Sequence, residues 1–171
     1  MKTLHLLRHA KSSWDDAALD DHDRPLAPRG VRAARALADH WDACGVRPDL
    51  VLCSTARRAR DTLERILPHW ESPPAVRWDP GVYLSSAREL LERIQCLDDT
   101  HASALVVGHN PGLGELAARL AGAGDPKLRR HLVRKYPTGA WLELRFEVDR
   151  WRDVASHGGE LVRFVRPKEL R

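Results

Sequence analysis

Cysteine is scarce in this sequence: Cys44, Cys53 and Cys96 are the only three, and no two stand at CxxC spacing. An odd number without short spacing argues against a disulfide framework and against a zinc site, so no metal is expected. Cys53 ends an apolar run and reads as a small core residue in a reducing compartment. Long hydrophobic runs are missing too. The apolar stretch after Lys2 is broken by His5, Arg8 and His9, unlike a secretory leader. No run approaches the roughly 18 apolar residues of a membrane span. A cytoplasmic protein with no membrane partner is therefore expected. Repeats, low-complexity tracts and linker-like stretches are absent from the 171 residues, a length that suits one domain. Charge of one sign is hardly in excess: 28 Lys and Arg face 24 Asp and Glu, a net charge of +4. That allows an anionic ligand but is equally what a solvated surface would carry. With 43% hydrophobic and 30% charged residues, the composition excludes disorder and fits a globular protein.

What is there is an alternation of strand-length apolar runs with segments of helical period, the pattern of an α/β sheet covered by helices. Leu4 to Leu7 reads as a first buried strand. Lys11 to Pro28 holds five Asp, two Pro and a Trp and reads as a long loop. A helix begins near Arg29, since Pro28 suits a first helical position. It carries Val31, Ala34, Ala38 and Trp41 on one face and ends at Gly45. Leu50 to Cys53 is a second strand. Ser54 or Thr55 is expected to cap the next helix, with Ala59, Leu63, Ile66 and Leu67 inward and Pro68 as its stop. Val76 to Trp78 suits a short strand, and Leu90, Leu91, Ile94 and Leu97 mark a helix. Ala104 to Val107 is the clearest buried strand, ended by Gly108. Pro111 and Gly112 then lead into a helix with Leu113, Leu116, Ala117 and Leu120 on one side. The basic segment Lys127 to Lys135 reads as a further helix. Leu142, Leu144, Phe146 and Val148 alternate with Glu143, Arg145 and Glu147, the mark of a half-buried strand. Leu161 to Val165 is its partner across a turn.

Three chemistry-bearing segments follow predicted strands: Leu7 to Lys11, Ser54 to Thr62 with Arg57 and Arg58, and Gly108 to Gly112. Ligands of open α/β sheets bind beyond the carboxyl ends of strands, where helix starts favour anions. Arginine offers a planar donor fork matched to phosphate oxygens and stays charged. A neutral imidazole nitrogen can attack phosphorus and carry the phosphoryl group until water removes it. Two arginines and a second, protonated histidine would then offset charge on the transferring group without a metal or other cofactor. Each piece alone has a plainer reading: His109 as a helix-start residue, or the arginines as a solvated face on which 57, 58 and 60 cannot all point inward. His5, His22, His40, His69, His101, His131 and His157 read as surface or loop residues. Six tryptophans are many for this length, and Trp14 in the first loop could line a pocket rim. Jointly the pieces point to a phosphate site.

These residues resemble the histidine phosphatase superfamily, which includes phosphoglycerate mutases and acid phosphatases. The strand ending in Arg8-His9-Ala10 is similar to the opening motif. Alanine in place of the usual glycine, with Lys11 to Trp14 after it, resembles the SixA-like phosphohistidine phosphatase branch. Asp23-Arg24-Pro25-Leu26, Arg29-Gly30 and Pro137 to Ala140 do so as well. Ser54, Arg58-Ala59 and Thr62 are similar to the second motif, which selects Arg58 over Arg57, and Gly108 to Pro111 match the third. The likeness runs from residue 3 to about residue 168. It implies a three-layer α/β/α sandwich on a mostly parallel mixed sheet, with residues 1–171 forming a single histidine phosphatase domain. It also implies His9 as nucleophile, with Arg8, Arg58 and His109 as phosphate ligands. Lys11 stands where mutase-like members carry an acidic residue, and Asp15 where they carry asparagine, against mutase activity. Phosphomonoesterases of the family also place an acid between the second and third motifs; Asp79, Glu89 and Glu92 lie there outside any motif. Imidazole leaves a phosphoramidate far more easily than an alkoxide leaves an ester, so a site without that acid favours phosphohistidine.

The leading reading is removal of phosphate from protein phosphohistidine, for example on a histidine-containing phosphotransfer domain, through an open pocket. A phosphatase of a small phosphorylated metabolite or nucleotide is the alternative; Arg8, Arg58, Lys11 and Arg24 are the expected substrate-binding residues, and Lys11, Arg24 and Arg57 could bind a second anionic group. A reading of another class is a non-catalytic binder of phosphate groups or nucleic acid, supported by a pI near 9.2 and by Lys127 to Lys135 with Arg129, Arg130 and Arg134. The exposed aromatics of nucleic-acid modules are not evident, which disfavours nucleic acid.

Overall fold

The computed structural model describes residues 1–170. In chain order its main elements are β1 (Lys2–Arg8), α1 (Pro28–Cys44), β2 (Leu50–Ser54), α2 (Arg57–Ile66), β3 (Ala75–Asp79) and α3 (Ala87–Gln95). Then come β4 (Ser103–Gly108), α4 (Gly112–Leu120), β5 (Ala121–Gly124), α5 (Pro126–Arg134), β6 (Trp141–Phe146) and β7 (Gly159–Val165). All seven strands join one sheet in the order β3-β2-β4-β1-β6-β7-β5. Its pairs are parallel except at β6, which runs antiparallel to both β1 and β7. This is the expected three-layer, mostly parallel mixed sheet.

The central strands are apolar nearly throughout because helices cover both of their faces. Leu4, Leu6, Leu52 and Val106 pack with residues of α3 and α4, whereas Leu7, Val51, Cys53 and Val107 pack with α1 and α2. Each such leucine taken from water contributes roughly 1.5–3 kcal/mol. Helix α1 starts at Pro28 as expected and closes at Gly45, whose φ of 68° lies in the left-handed region. Gly30 is needed for a close approach: a Cβ there would lie 2.1 Å from the carbonyl oxygen of Lys11. The helix start thereby presses on the chain just after His9. Trp41, Trp70, Trp141 and Trp151 are buried, and the Trp41 and Trp70 rings stack at 5.8 Å.

Several expectations are corrected. Neither Ser54 nor Thr55 caps α2: β2 runs through Ser54, and the N-cap is Ala56, with no side-chain cap bond. Leu67 falls outside the helix, in a 3-10 turn with Pro68. Strand β6 is not half-buried. It lies inside the sheet, and Glu143 is only 4% exposed, its carboxylate taking Arg145 at 3.0 Å and Arg163 at 3.6 Å. His5 is no surface residue either; it sits in the middle of β1 and is buried against Trp141. Strand β5, with the sequence Ala-Gly-Ala-Gly, carried no strand signal, since small residues offer little to a pleated surface. It forms because it pairs with β7 at the sheet edge.

Candidate active site

Strand register builds the site. The parallel pairing of β1 and β4 sets Arg8 opposite Gly108, and the His9 amide donates to the Gly108 carbonyl at 3.1 Å. The next residues on the two strands, His9 and His109, therefore emerge side by side, ring centroids 5.1 Å apart. Pairing of β2 with β4 sets Cys53 opposite Val107, so Ser54 arrives beside His109, its Oγ 2.7 Å from Nε2. The first turn of α2 then brings in Arg58, whose Nε donates to His9 Nε2 at 3.3 Å. His9, His109, Arg58 and Ser54 are all buried.

The ring of His9 is fixed by its own chain. Nδ1 lies 2.7 Å from the Ala10 carbonyl oxygen, which can only accept, so Nδ1 carries the proton and Nε2 holds the lone pair. Thr62 locks the turn: its Oγ accepts from the Ala10 amide at 3.0 Å and donates to the Arg58 carbonyl at 2.7 Å. One hydroxyl thus ties the strand end of His9 to the helix of Arg58. Burial, with Arg58, Arg8 and Arg24 adding to it, pushes the His9 pKa down to about 3 despite the Ala10 bond. The imidazole is neutral at ordinary pH.

His109 departs from the protonated state expected of it. Burial first, then His9 and Arg58, push its pKa down to about 3, with Asp21 opposing. Its Nδ1 is a buried atom with no partner among the described residues, and so is Nε of Arg8. Buried polar atoms normally find partners, and a phosphoryl oxygen is chemically suited to both once His109 holds a proton. Arg8 also donates to the Tyr136 carbonyl at 3.0 Å.

Arg24 is buried, donates to Ser12 at 2.9 Å and lies over the exposed ring of Trp14, 3.3 Å from its centroid. Lys11 follows His9 by two residues with an exposed side chain that makes no hydrogen bond or ion pair among the described residues. Arg57 points elsewhere, pairing with Asp61 at 3.8 Å, and Arg60 is exposed too. Of Arg57, Arg58 and Arg60, only Arg58 hydrogen-bonds His9.

Two residues of this region escaped the sequence reading. Asp21 accepts from Arg58 through its backbone oxygen at 2.7 Å and its carboxylate at 3.0 Å, and Tyr83 donates to the same carboxylate at 2.5 Å. The Tyr83 ring also meets His109 edge-on. Asp21 was one of five aspartates in a loop, and Tyr83 lies in an irregular turn after β3, so neither had a local signal. The Tyr83 bond, then Arg58 and Arg24, hold the Asp21 carboxyl below the usual carboxylate range.

A sequence profile of the histidine phosphatase superfamily (branch 1) matches residues 4–82. An uncharacterized protein of Mycobacterium tuberculosis is 38% identical over 165 residues, covering 95% of this chain and 100% of the relative. A solved structure described as a candidate phosphohistidine phosphatase SixA from Nakamurella multipartitia is 32% identical, with a TM-score of 0.83 over 97% of this chain and 96% of that one. Another so described, from Agrobacterium tumefaciens, is 26% identical with a TM-score of 0.82, over 97% and 98% of the two chains. The chain belongs to the histidine phosphatase superfamily, in its SixA-like branch. It is accordingly a phosphatase by family.

Of the carboxylates between the second and third motifs, Asp79, Glu89 and Glu92 each have another task. Asp79 accepts from Gly81 at 2.8 Å and pairs with Arg93 at 2.6 Å. Glu89 closes the capping box of α3 with Ser86, and Glu92 pairs with Arg88 at 2.8 Å. No helix among the described residues is long and apolar enough to cross a membrane.

Proposed function

We propose that this phosphatase works through a covalent phosphohistidine on His9 and removes phosphate from protein phosphohistidine. The observation that carries the reading is the pair of bonds fixing His9: Nδ1 donates to the Ala10 carbonyl while Nε2 meets Arg58. That arrangement presents a neutral, correctly tautomeric lone pair beside a cation, which is what attack on phosphorus requires. The whole chain acts as one histidine phosphatase domain, its three motif segments meeting at one edge of one sheet.

In the proposed reaction Nε2 attacks phosphorus, a bond forms between them, and the phosphorus–nitrogen bond of the substrate breaks. The electron pair leaves on the substrate imidazole, which departs neutral because its other ring nitrogen carries a proton. Arg8 and Arg58 hold the equatorial oxygens, and charge stabilisation of this kind supplies most of the catalysis in phosphoryl transfer. Burial first, then His9 and Arg58, keep His109 neutral; the negative charge of a bound phosphoryl group opposes them and lets Nδ1 hold a proton for a hydrogen bond to a phosphoryl oxygen. Water then attacks phosphorus, the phosphorus–Nε2 bond breaks with its electron pair returning to Nε2, and the proton lost by water leaves on the released inorganic phosphate. The buried Arg24 and the exposed Lys11 add positive charge for the substrate.

Substrate class follows from the carboxylates. Asp21, the one that touches Arg58, is held ionised by Tyr83 and the arginines, which makes it a poor donor to an alkoxide. Asp79, Glu89 and Glu92 are engaged in pairs and caps. This supports a phosphoramidate, whose imidazole leaves without a dedicated acid, over a phosphate ester.

The test is phosphate release, in chelator, from a phosphohistidine-bearing protein and from phosphoserine, by wild type and His9→Ala. Preferential cleavage of phosphohistidine by wild type and an inert variant support the reading. Equal cleavage of phosphoserine would favour a small phosphate ester as substrate, and full activity of His9→Ala would remove the covalent mechanism.

A further inference from the structure

Beside the His9 pocket runs a groove of about 630 Å³, bounded by the first turns of α1, residues 135–138 and the C-terminal stretch Arg166–Leu170. Five cations line it, Arg29, Arg32, Lys135, Arg166 and Lys168, and no carboxylate does among the described residues. Arg166 is matched by Glu169 at 2.7 Å. The other four are exposed and, among the described residues, have no ion-pair partner. Alanine, proline and Leu170 supply an apolar floor between them.

Groove and pocket share a wall. Gly139, next after Thr138 of the groove, donates its amide to the carbonyls of His9 at 2.9 Å and Arg8 at 3.0 Å. A Cβ on Gly139 would stand 2.9 Å from Pro167 and 3.9 Å from Ala10, so the C-terminal stretch closes directly over the strand end that carries the nucleophile. On the pocket side, the Tyr136 carbonyl receives Arg8 and Asn110.

We propose that this groove docks an acidic, partly apolar segment of the phosphoprotein substrate and so presents its phosphohistidine to His9; the proposal rests on the phosphohistidine reading above. Unpaired cations around an apolar floor match the anatomy of a protein interface, with its apolar centre and charged rim. Complementary charge at such a rim acts chiefly on encounter and register. The groove lining includes no aromatic residue, so it lacks the stacking platforms by which nucleic-acid grooves hold bases. A second basic cavity, lined by Arg129, Arg130 and Arg134 of α5, shares no lining residue with the groove. Reversing two of its arginines changes the net charge as much as reversing two cations of the groove.

The experiment compares Arg32→Glu/Lys168→Glu with Arg129→Glu/Arg130→Glu, both confirmed folded by circular dichroism. Substrates are an acidic phosphocarrier protein bearing phosphohistidine and free phosphohistidine, each at low and at physiological salt. The groove variant should lose roughly tenfold in kcat/KM on the phosphocarrier at low salt, mostly through KM, and the loss should shrink as salt rises. On free phosphohistidine it should stay within about twofold of wild type, and the α5 variant should stay within about twofold on both. Equal loss in the α5 variant would reduce the effect to net charge and overturn docking. Equal loss on free phosphohistidine, or no loss at all, would overturn it too. Wild type inert on both substrates would instead sink the reaction assigned above, and docking with it.

Discussion

His5 and His9 stand four residues apart at the same strand, both buried, both with a pKa pushed well below the usual 6.5: to about 4 for His5 and about 3 for His9. Burial is the largest cause in each, and arginines add to it in each: Arg163 and Arg145 for His5, Arg58, Arg8 and Arg24 for His9. By titration alone they are alike. They differ in what their ring nitrogens meet. Nδ1 of His5 accepts from the Trp141 indole at 3.2 Å, a bond that spends its lone pair within the core. Nδ1 of His9 spends its proton on a carbonyl instead and leaves the lone pair of Nε2 at an arginine. A depressed pKa therefore marks a buried histidine, and the tautomer and its partners mark a reactive one.

The comparison breaks most sharply by deletion. His9→Ala should lower kcat on phosphohistidine at least about a thousandfold, whereas His5→Phe should leave it within about threefold and show its cost in the melting temperature instead. Next in size is Arg58→Ala, expected to cost about a hundredfold in kcat by analogy with removing one donor to a developing charge; a change confined to KM would demote Arg58 to a binding role. Ser54→Ala should cost about tenfold, because His109 loses the partner of its Nε2, and the double variant with His109→Ala should be no worse than His109→Ala alone. Additive losses would separate the two residues.

The smallest expected effect is the one that His5 and His9 share. Below pH 6.5 the unfolded chain protonates histidines that the fold keeps neutral, so stability falls as pH drops from about 6.5 toward 4. Each buried histidine contributes up to about 1.4 kcal/mol per pH unit to that slope. Denaturant melts across this range should show the slope reduced by about one proton in His5→Phe and in His9→Ala alike. An unchanged slope in either variant would mean that its histidine is already charged in the native protein.

Much of this was legible in the sequence because motif and strand coincided. Arg8-His9, Ser54 with Arg58, and Gly108-His109 each followed an apolar run, and parallel pairing of those runs was enough to bring them together. Periodicity showed only that Arg57, Arg58 and Arg60 cannot all point inward; the likeness of Ser54, Arg58-Ala59 and Thr62 to the family's second motif chose Arg58 over Arg57. Asp21 and Tyr83 stayed hidden because they reach Arg58 from irregular segments 62 residues apart, where no period operates. His5 and Glu143 were misread for a related reason: their burial is set by β6 and β7 closing over the sheet, which residue type alone does not reveal. The neutral state of His109 was out of reach as well, because it depends on how deeply two histidines and the arginines are buried together.

The measurement closest to the central claim is an acid-labile, base-stable phosphate trapped by rapid quenching during turnover of a phosphohistidine protein, located by mass spectrometry of the peptides. Phosphate on His9, appearing and decaying within a single turnover and missing in His9→Ala, is the result predicted here. Phosphate on His109, or turnover with no phosphorylated histidine at any time point, would contradict it.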